Sequence, residues 1–276
     1  MPDRQPGPPP ALVFSHANGF PAGSYAQLFA AWRAAGREVH AIETLGHDPA
    51  RPPGPRWRHL RTELIDCVEP VVAAGRQPVH LVGHSLGGFL SLLVALKRPE
   101  LVRGVVLLDS PIVAGWRARA LQLSQATGLA KRFSPGRIAR RRRHEWPDAE
   151  AAHAHFAGKP AFARFGHGVL ADYVRAGTRP VGRGVALAFD RDIEARIYDS
   201  LPDHIGRLLR RRPLAAPIAF VGGTQSQELR MAGIAATERA TEGRISFIEG
   251  SHLFPLERPQ ETAKAVLAWL DRPPFL

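Results

Sequence analysis

Val79-His80-Leu81-Val82 runs without a spacer into Gly83-His84-Ser85-Leu86-Gly87-Gly88 and then into an apolar stretch ending at Lys97, an order that few backbones accommodate. The first four residues read as a buried strand, the last stretch as an apolar helix, and the glycines between them as a very tight turn. Gly83-x-Ser85-x-Gly87 is the pattern of a strand-to-helix elbow that lifts a serine hydroxyl above the end of a sheet. A serine in such a turn holds strained backbone angles, and a side chain at either flanking glycine would strike the neighbouring strand or helix. The hydroxyl then lies at the start of a helix, whose free amides favour developing negative charge. An ordinary glycine-rich connection is the competing reading. The strand before the motif and the helix after it favour the elbow.

The rest of the chain fits around that segment. Residues 11–15 and Val39–Ile42 read as strands, with a helix over Tyr25–Ala35 that presents Leu28, Phe29 and Trp32 on one face and ends at Gly36. Arg58–Ala74 repeats apolar residues at Leu60, Leu64, Cys67, Val68, Val71 and Val72, the period of an amphipathic helix. Val102–Leu108, Ile218–Val221 and Ile245–Ile248 supply further strands, and helices are expected at about 228–240 and 257–270. Strands alternating with helices predict an α/β protein built on a mainly parallel, doubly wound sheet. Between Pro111 and about Asp190 the alternation stops, and helical patterns with Trp116, Phe133, Trp146, Phe156, Phe162, Phe165 and Tyr173 carry no convincing strand. The expected organisation is a Pro-rich segment at 1–10, a core formed by 11–110 and 191–276, and an inserted helical cap at 111–190.

A serine nucleophile needs a base. His252, in Gly250-Ser251-His252-Leu253-Phe254-Pro255, follows the last expected strand and is the best placed of the 12 histidines. His84, inside the elbow, must point away from the turn and is expected to be structural or part of a pocket wall. With Phe14-Ser15-His16-Ala17-Asn18-Gly19-Phe20-Pro21 after the first strand and Leu107-Leu108-Asp109-Ser110-Pro111 after the fourth, the sequence resembles the α/β-hydrolase family over nearly its whole length. The resemblance implies that Ser85 attacks a carbonyl and His252 takes and returns its proton. It also implies an oxyanion hole of two backbone amides. One is on Leu86; the other is on Asn18 when the loop is counted from His16, or on Phe20 when it is counted back from Pro21.

Two departures from the family pattern stand out. The N-terminal hairpin of most members has no room before residue 11, so that edge of the sheet is expected to be trimmed. The acid usually lies a few residues past the strand ending near Val221, but Gly222-Gly223-Thr224-Gln225-Ser226 offers no carboxylate, and the aligned position is Ser226. Asp109, at the end of the strand beside the elbow strand, and Glu228, two residues past the usual place, are the candidates. Their competing readings are a loop-capping carboxylate and a residue in the first turn of a surface helix.

Composition excludes several other classes. A lone Cys67 leaves no intramolecular disulfide and no Cys-rich zinc module. His144-Glu145-Trp146-Pro147-Asp148 begins like a zinc-protease helix, but Pro147 breaks the helix and the fifth residue is Asp. His153 and His155, two apart, cannot share a helix face, and no phosphate loop or dinucleotide fingerprint appears, so neither a metal nor a cofactor is implied. Leu81–Leu96 carries no charged residue, yet His84, Ser85, Gly87 and Gly88 interrupt it before the roughly 20 apolar residues of a membrane span. The start of the chain lacks the apolar core of a secretory signal, which makes the cytoplasm the expected location.

The leading expectation is a serine hydrolase acting on an ester or related small carbonyl substrate. Other chemistry on the same fold (C–C hydrolysis, acyl transfer, perhydrolysis) and a non-catalytic ligand-binding protein are the alternatives. Of the formal net charge of +12, the block from Pro111 to Arg183 supplies 14 Lys+Arg against 4 Asp+Glu. The basicity therefore belongs to the expected cap, where it could attract an anionic substrate or lipid surface or be merely solvated. Arg140-Arg141-Arg142-Arg143 reads as a solvated helix face, and no nucleic-acid module accompanies it.

Overall fold

Six parallel strands form the centre of the computed structural model, which describes residues 7–113, 135–202 and 204–276. They are β1 (Leu12–Ser15), β2 (Val39–Ala41), β3 (Val79–His84), β4 (Val102–Leu108), β8 (Ile218–Gly223) and β9 (Ile245–Ile248), in the order β2-β1-β3-β4-β8-β9. Among the described residues no strand precedes β1. Successive strand residues feed opposite sides of the sheet. Val79, Leu81, Val105, Leu107, Ile218 and Phe220 lie in one core, while Val82, Val106, Leu108, Ala219 and Val221 lie in the other. Burial on both faces explains why these strands read as uninterrupted apolar runs.

Helices cover the two faces. On the first are α2 (Arg58–Gly75), through Leu60, Leu64 and Val68, and α3 (Leu86–Lys97), which is buried over most of its circumference. On the second are α1 (Ala26–Ala34), through Leu28, Phe29 and Trp32, and α11 (Pro259–Leu270), through Ala263, Val266 and Leu270. The Trp32 indole N–H donates to the Ala263 carbonyl between these two helices. The helix expected over 228–240 is two, α9 (Gln227–Ala232) and α10 (Ala235–Thr241), separated by Gly233 at φ 73°. Among the described residues no helix is long and apolar enough to cross a membrane.

The chain between β4 and β8 differs most from expectation. It holds α4 (Pro135–Arg141), α5 (Ala149–Ala157), α6 (Val169–Gly177), α7 (Arg191–Asp199) and α8 (Ile205–Arg211). It also holds an antiparallel sheet, β5-β7-β6, made of β5 (Glu145–Trp146), β6 (Thr178–Val181) and β7 (Gly184–Leu187). An all-helical reading missed these strands because β5 is only two residues long and β6 is largely exposed and contains Pro180. Proline is tolerated there because β6 lies at the edge of its sheet. The overlooked signal was Val181-Gly182-Arg183-Gly184, a two-residue hairpin turn with Gly182 at φ 57°. Trp146, Phe156, Phe162, Tyr173 and Phe189 make the core of this segment, and Phe20 packs against it from the loop after β1. Residues 1–6 of the Pro-rich start and 114–134 of the expected cap, with Trp116 and Phe133, lie outside the described residues.

Strand register sets the stage for chemistry. Ser15 pairs with Gly83, His84 with Leu108, Leu108 with Val221, and Gly223 with Ile248. The loops beginning at residues 16, 85, 109, 224 and 249 therefore emerge together at the carboxyl edge of the sheet, where parallel α/β proteins place their sites.

Candidate active site

Ser85 stands between β3 and α3 at φ 53° and ψ −115°, a backbone region that an L-residue occupies only under constraint. The constraint is visible on both sides. A Cβ on Gly87 would lie 1.9 Å from the Ser15 carbonyl oxygen, and one on Gly83 would lie 2.3 Å from the Gly87 carbonyl. Helix and strands thus approach more closely than any side chain allows. The Ser85 amide donates to the Leu108 carbonyl at 2.9 Å, and the Ser110 hydroxyl donates to the Ser85 carbonyl at 2.8 Å, which fixes the turn from the β4 side.

His252 Nε2 lies 2.9 Å from Ser85 Oγ, and its Nδ1 lies 2.6 Å from Asp109 Oδ2. A carboxylate can only accept, so the ring proton is on Nδ1 and Nε2 is left to accept from the serine hydroxyl. Asp109 is fully buried. Its Oδ1 accepts from the Gly223 amide at 2.8 Å and its Oδ2 also accepts from the Ser226 hydroxyl at 2.5 Å. Ser226, the position aligned with the family's acid, therefore supplies a hydroxyl to an acid on the neighbouring strand while capping α9 through the Leu229 amide. The other candidate, Glu228, has Oε2 3.9 Å from His252 Nδ1 with its side chain 47% exposed. Burial opposes a charge on His252, but the hydrogen bond and charge of Asp109, helped by Glu228, outweigh it and raise the imidazole above its ordinary value.

His84 holds the backbone of His252. Its Nε2 is 2.8 Å from the His252 carbonyl, which can only accept, so Nε2 carries the proton. Its Nδ1 then accepts from the Tyr25 hydroxyl at 2.7 Å, and that oxygen accepts from the Ala17 amide at 3.3 Å. Complete burial keeps His84 neutral by pushing its pKa well below the usual value. Glu257 steadies the other side of the loop, accepting from the Ser251 amide at 3.0 Å and the Ser251 hydroxyl at 2.5 Å. Arg164, from the segment between β4 and β8, reaches Glu257 at 3.2 Å and Gln225 at 2.7 Å. None of Tyr25, Glu257 or Arg164 carried a sequence signal, because each acts through a partner distant in the chain.

The loop after β1 is equally fixed. His16 accepts from the Leu45 amide at 2.8 Å through Nε2, so its Nδ1 donates to the Ala17 carbonyl, and burial lowers its pKa to about 4. Of the two amides counted as oxyanion donors in this loop, that of Phe20 closes a turn onto the Ala17 carbonyl at 3.1 Å. The Asn18 amide has no acceptor among the described residues. Leu86 is the first residue of α3, where amides have no acceptor within the helix. The Asn18 side chain donates to the Glu194 carbonyl at 2.9 Å.

The arginine run is not one solvated face. Arg142 is largely buried against Glu194 at 2.9 Å and Tyr173 at 3.0 Å, with its guanidinium over the Phe189 ring, and the Glu194 carboxylate lies against Gly19. Arg140 pairs with Asp199 at 2.7 Å. Acids of α7 thus neutralise part of the basic block from beyond its end.

Asp109, Glu228 and His252 place ligand-capable atoms within 4.8 Å of one another. Both oxygens of Asp109 and Nδ1 of His252 are already committed to hydrogen bonds, so a metal ion there would have to break the Asp109–His252 contact. The donor set fits the holding of a proton better than the holding of a metal.

Comparison with known proteins bears on the family and the fold. A profile described as Alpha/beta hydrolase family matches residues 12–265. Monoglyceride lipase of Mus musculus is 32% identical over 112 residues, 39% of this chain, and the chain covers only 37% of the lipase's length. A putative carbamate hydrolase RutD of Pseudomonas savastanoi is 40% identical over 53 residues, 19% of each protein. The crystal structure of E-2-(acetamidomethylene)succinate hydrolase superposes with a TM-score of 0.72 at 22% identity, covering 96% of this chain and 93% of that one. The thioesterase domain from the curacin biosynthetic pathway gives the same TM-score and coverage at 18% identity. At these identities the two structures speak to the fold alone.

Proposed function

The chain belongs to the alpha/beta hydrolase family, and from that premise we propose that it is a serine hydrolase cleaving an ester or related small carbonyl substrate through an acyl-enzyme. The observation that carries the proposal is the unbroken line Ser85–His252–Asp109, with separations of 2.9 and 2.6 Å. Ser85 Oγ bonds to the substrate carbonyl carbon as its proton passes to His252 Nε2, and the imidazolium so formed is stabilised by Asp109. The carbonyl oxygen takes up the negative charge under the amides of Leu86 and Asn18, each worth about 3 kcal/mol of barrier in such sites. Collapse expels the alcohol, which leaves with the proton from His252. Water then repeats the sequence on the acyl-serine and regenerates the free hydroxyl. The lipases among the relatives support an ester as the scissile bond.

The test is covalent labelling by a fluorophosphonate, which reacts only with an activated serine. Folded wild-type protein should be labelled stoichiometrically at Ser85 and show a burst of p-nitrophenol from a short-chain ester; unlabelled folded protein overturns the reading. The pH profile gives a second check. His252 must be neutral to act as base, and its pKa is raised, so activity is lost as pH falls through a value above the ordinary 6.5. The acid limb of kcat/KM for a neutral ester should therefore lie above that value. A limb in the carboxylate range would remove His252 from the role.

A further inference from the structure

Two carboxylates face Nδ1 of His252 from different elements. Asp109 approaches from the end of β4, completely enclosed, while Glu228 approaches from the first turn of α9, half exposed, with Oε2 at 3.9 Å. Glu228 Oε2 is also 3.5 Å from Ser226 Oγ, but the single proton of that hydroxyl lies on the shorter 2.5 Å contact to Asp109. Nothing therefore ties the Glu228 carboxylate to the Ser226 side. Among the described residues, His252 is the one basic side chain within ion-pair distance of Glu228, and it is cationic only when protonated.

Building on the serine-hydrolase reading, we propose that Glu228 is a positioning residue for the base: a second carboxylate that stabilises protonated His252 from the solvent side and partly replaces Asp109 when that acid is removed. The remaining groups around the ring do not compete. His84 faces it with ring centroids 5.2 Å apart and is neutral, while Ser85 and Ser226 are uncharged. The two acids divide the task by environment. Asp109, held by Gly223 and Ser226, fixes the tautomer and orientation of the ring, whereas Glu228 adds field without a hydrogen bond. Its charge raises the imidazole pKa in the same direction as Asp109. The water that reaches Glu228 weakens this effect relative to a buried partner.

The test reads the ring itself as well as turnover. In wild type and Glu228→Gln, the pKa of His252 is measured by NMR titration of its imidazole, which does not require activity. The expected result is a value lower by about 0.5 in Glu228→Gln, and an acid limb of kcat/KM displaced equally toward lower pH. At high pH, kcat should fall by about threefold with KM unchanged, because stabilisation of the imidazolium is lost only in the transition state. In an Asp109→Ala background the same substitution should cost about tenfold or more, since Glu228 is then the remaining carboxylate. An unchanged His252 pKa in Glu228→Gln overturns the proposal even if Asp109→Ala fails to fold. Absence of fluorophosphonate labelling in wild type would instead strike the hydrolase reading, leaving the titration to judge Glu228 by itself.

Discussion

Ser85→Ala should abolish fluorophosphonate labelling and lower ester turnover by about 10⁴-fold or more, because loss of the nucleophile leaves only the oxyanion hole and binding to act on water. Stability should hardly change. Among the described residues the lost hydroxyl makes one side-chain hydrogen bond, to His252 Nε2. The strain at φ 53° is carried by Ala as much as by Ser. That equivalence suggests a sharper comparison. Ser85→Gly is equally inactive but relieves the backbone, a gain of about 1–3 kcal/mol offset by about 0.5–1 kcal/mol of glycine entropy. Calorimetry should therefore place Ser85→Gly at or above Ser85→Ala in melting temperature. A labelled Ser85→Ala protein would show that another residue is the nucleophile, and a Gly variant melting well below the Ala variant would show that the elbow stores no strain.

The central sheet was legible in the sequence because its strands are buried on both faces and the helices between them repeat apolar residues at a regular period, signals that are local. The elbow was legible for the same reason, since close packing around Ser85 demands Gly83 and Gly87 in one short stretch. The acid was not. Asp109 and His252 are 143 positions apart, and they meet because β8 lies between β4 and β9 and brings the ends of both to one edge, a fact of strand order that no local pattern states. Ser226 illustrates the point from the other side. It stands at the position aligned with the family's acid, and its hydroxyl instead donates to the Asp109 carboxylate at the end of the neighbouring strand. Counting along the β1 loop left Asn18 and Phe20 open, and the turn that occupies the Phe20 amide depends on backbone angles that the residue names do not give. The arginine run misled for a related reason: Arg142 is internal because Glu194 and Tyr173, 52 and 31 positions away, enclose it.

Gly87→Ala should cost the folded state itself, although one methyl group is all it adds. Its Cβ would lie 1.9 Å from the Ser15 carbonyl oxygen and 2.4 Å from the carbonyl carbon, both backbone atoms. Ser15 cannot retreat, because β1 is held between β2 and β3 and pairs with Gly83 at that very residue. The alternative is for α3 to lift away by more than an ångström, but nine of its residues from Leu86 to Ala95 are buried and would lose their packing. Overpacking in a yielding core costs about 1–3 kcal/mol. With no yielding partner the expected cost is about 4–5 kcal/mol, a large share of the roughly 5–15 kcal/mol that holds a domain together. The melting temperature should fall by about 10 °C or more, or the protein should be recovered only as aggregate. Gly75→Ala is the matched control: a Cβ there meets only the Gln77 side chain at 3.9 Å, and the glycine is the last residue of α2. It should be neutral or stabilise by a few tenths of a kcal/mol. If Gly87→Ala melts within about 2 °C of wild type, the helix is not clamped to β1 and the strain at Ser85 needs another source. If it unfolds as expected, the contact that forbids a side chain at Gly87 is also the contact that presses Ser85 into its positive-φ turn beneath the ring of His252.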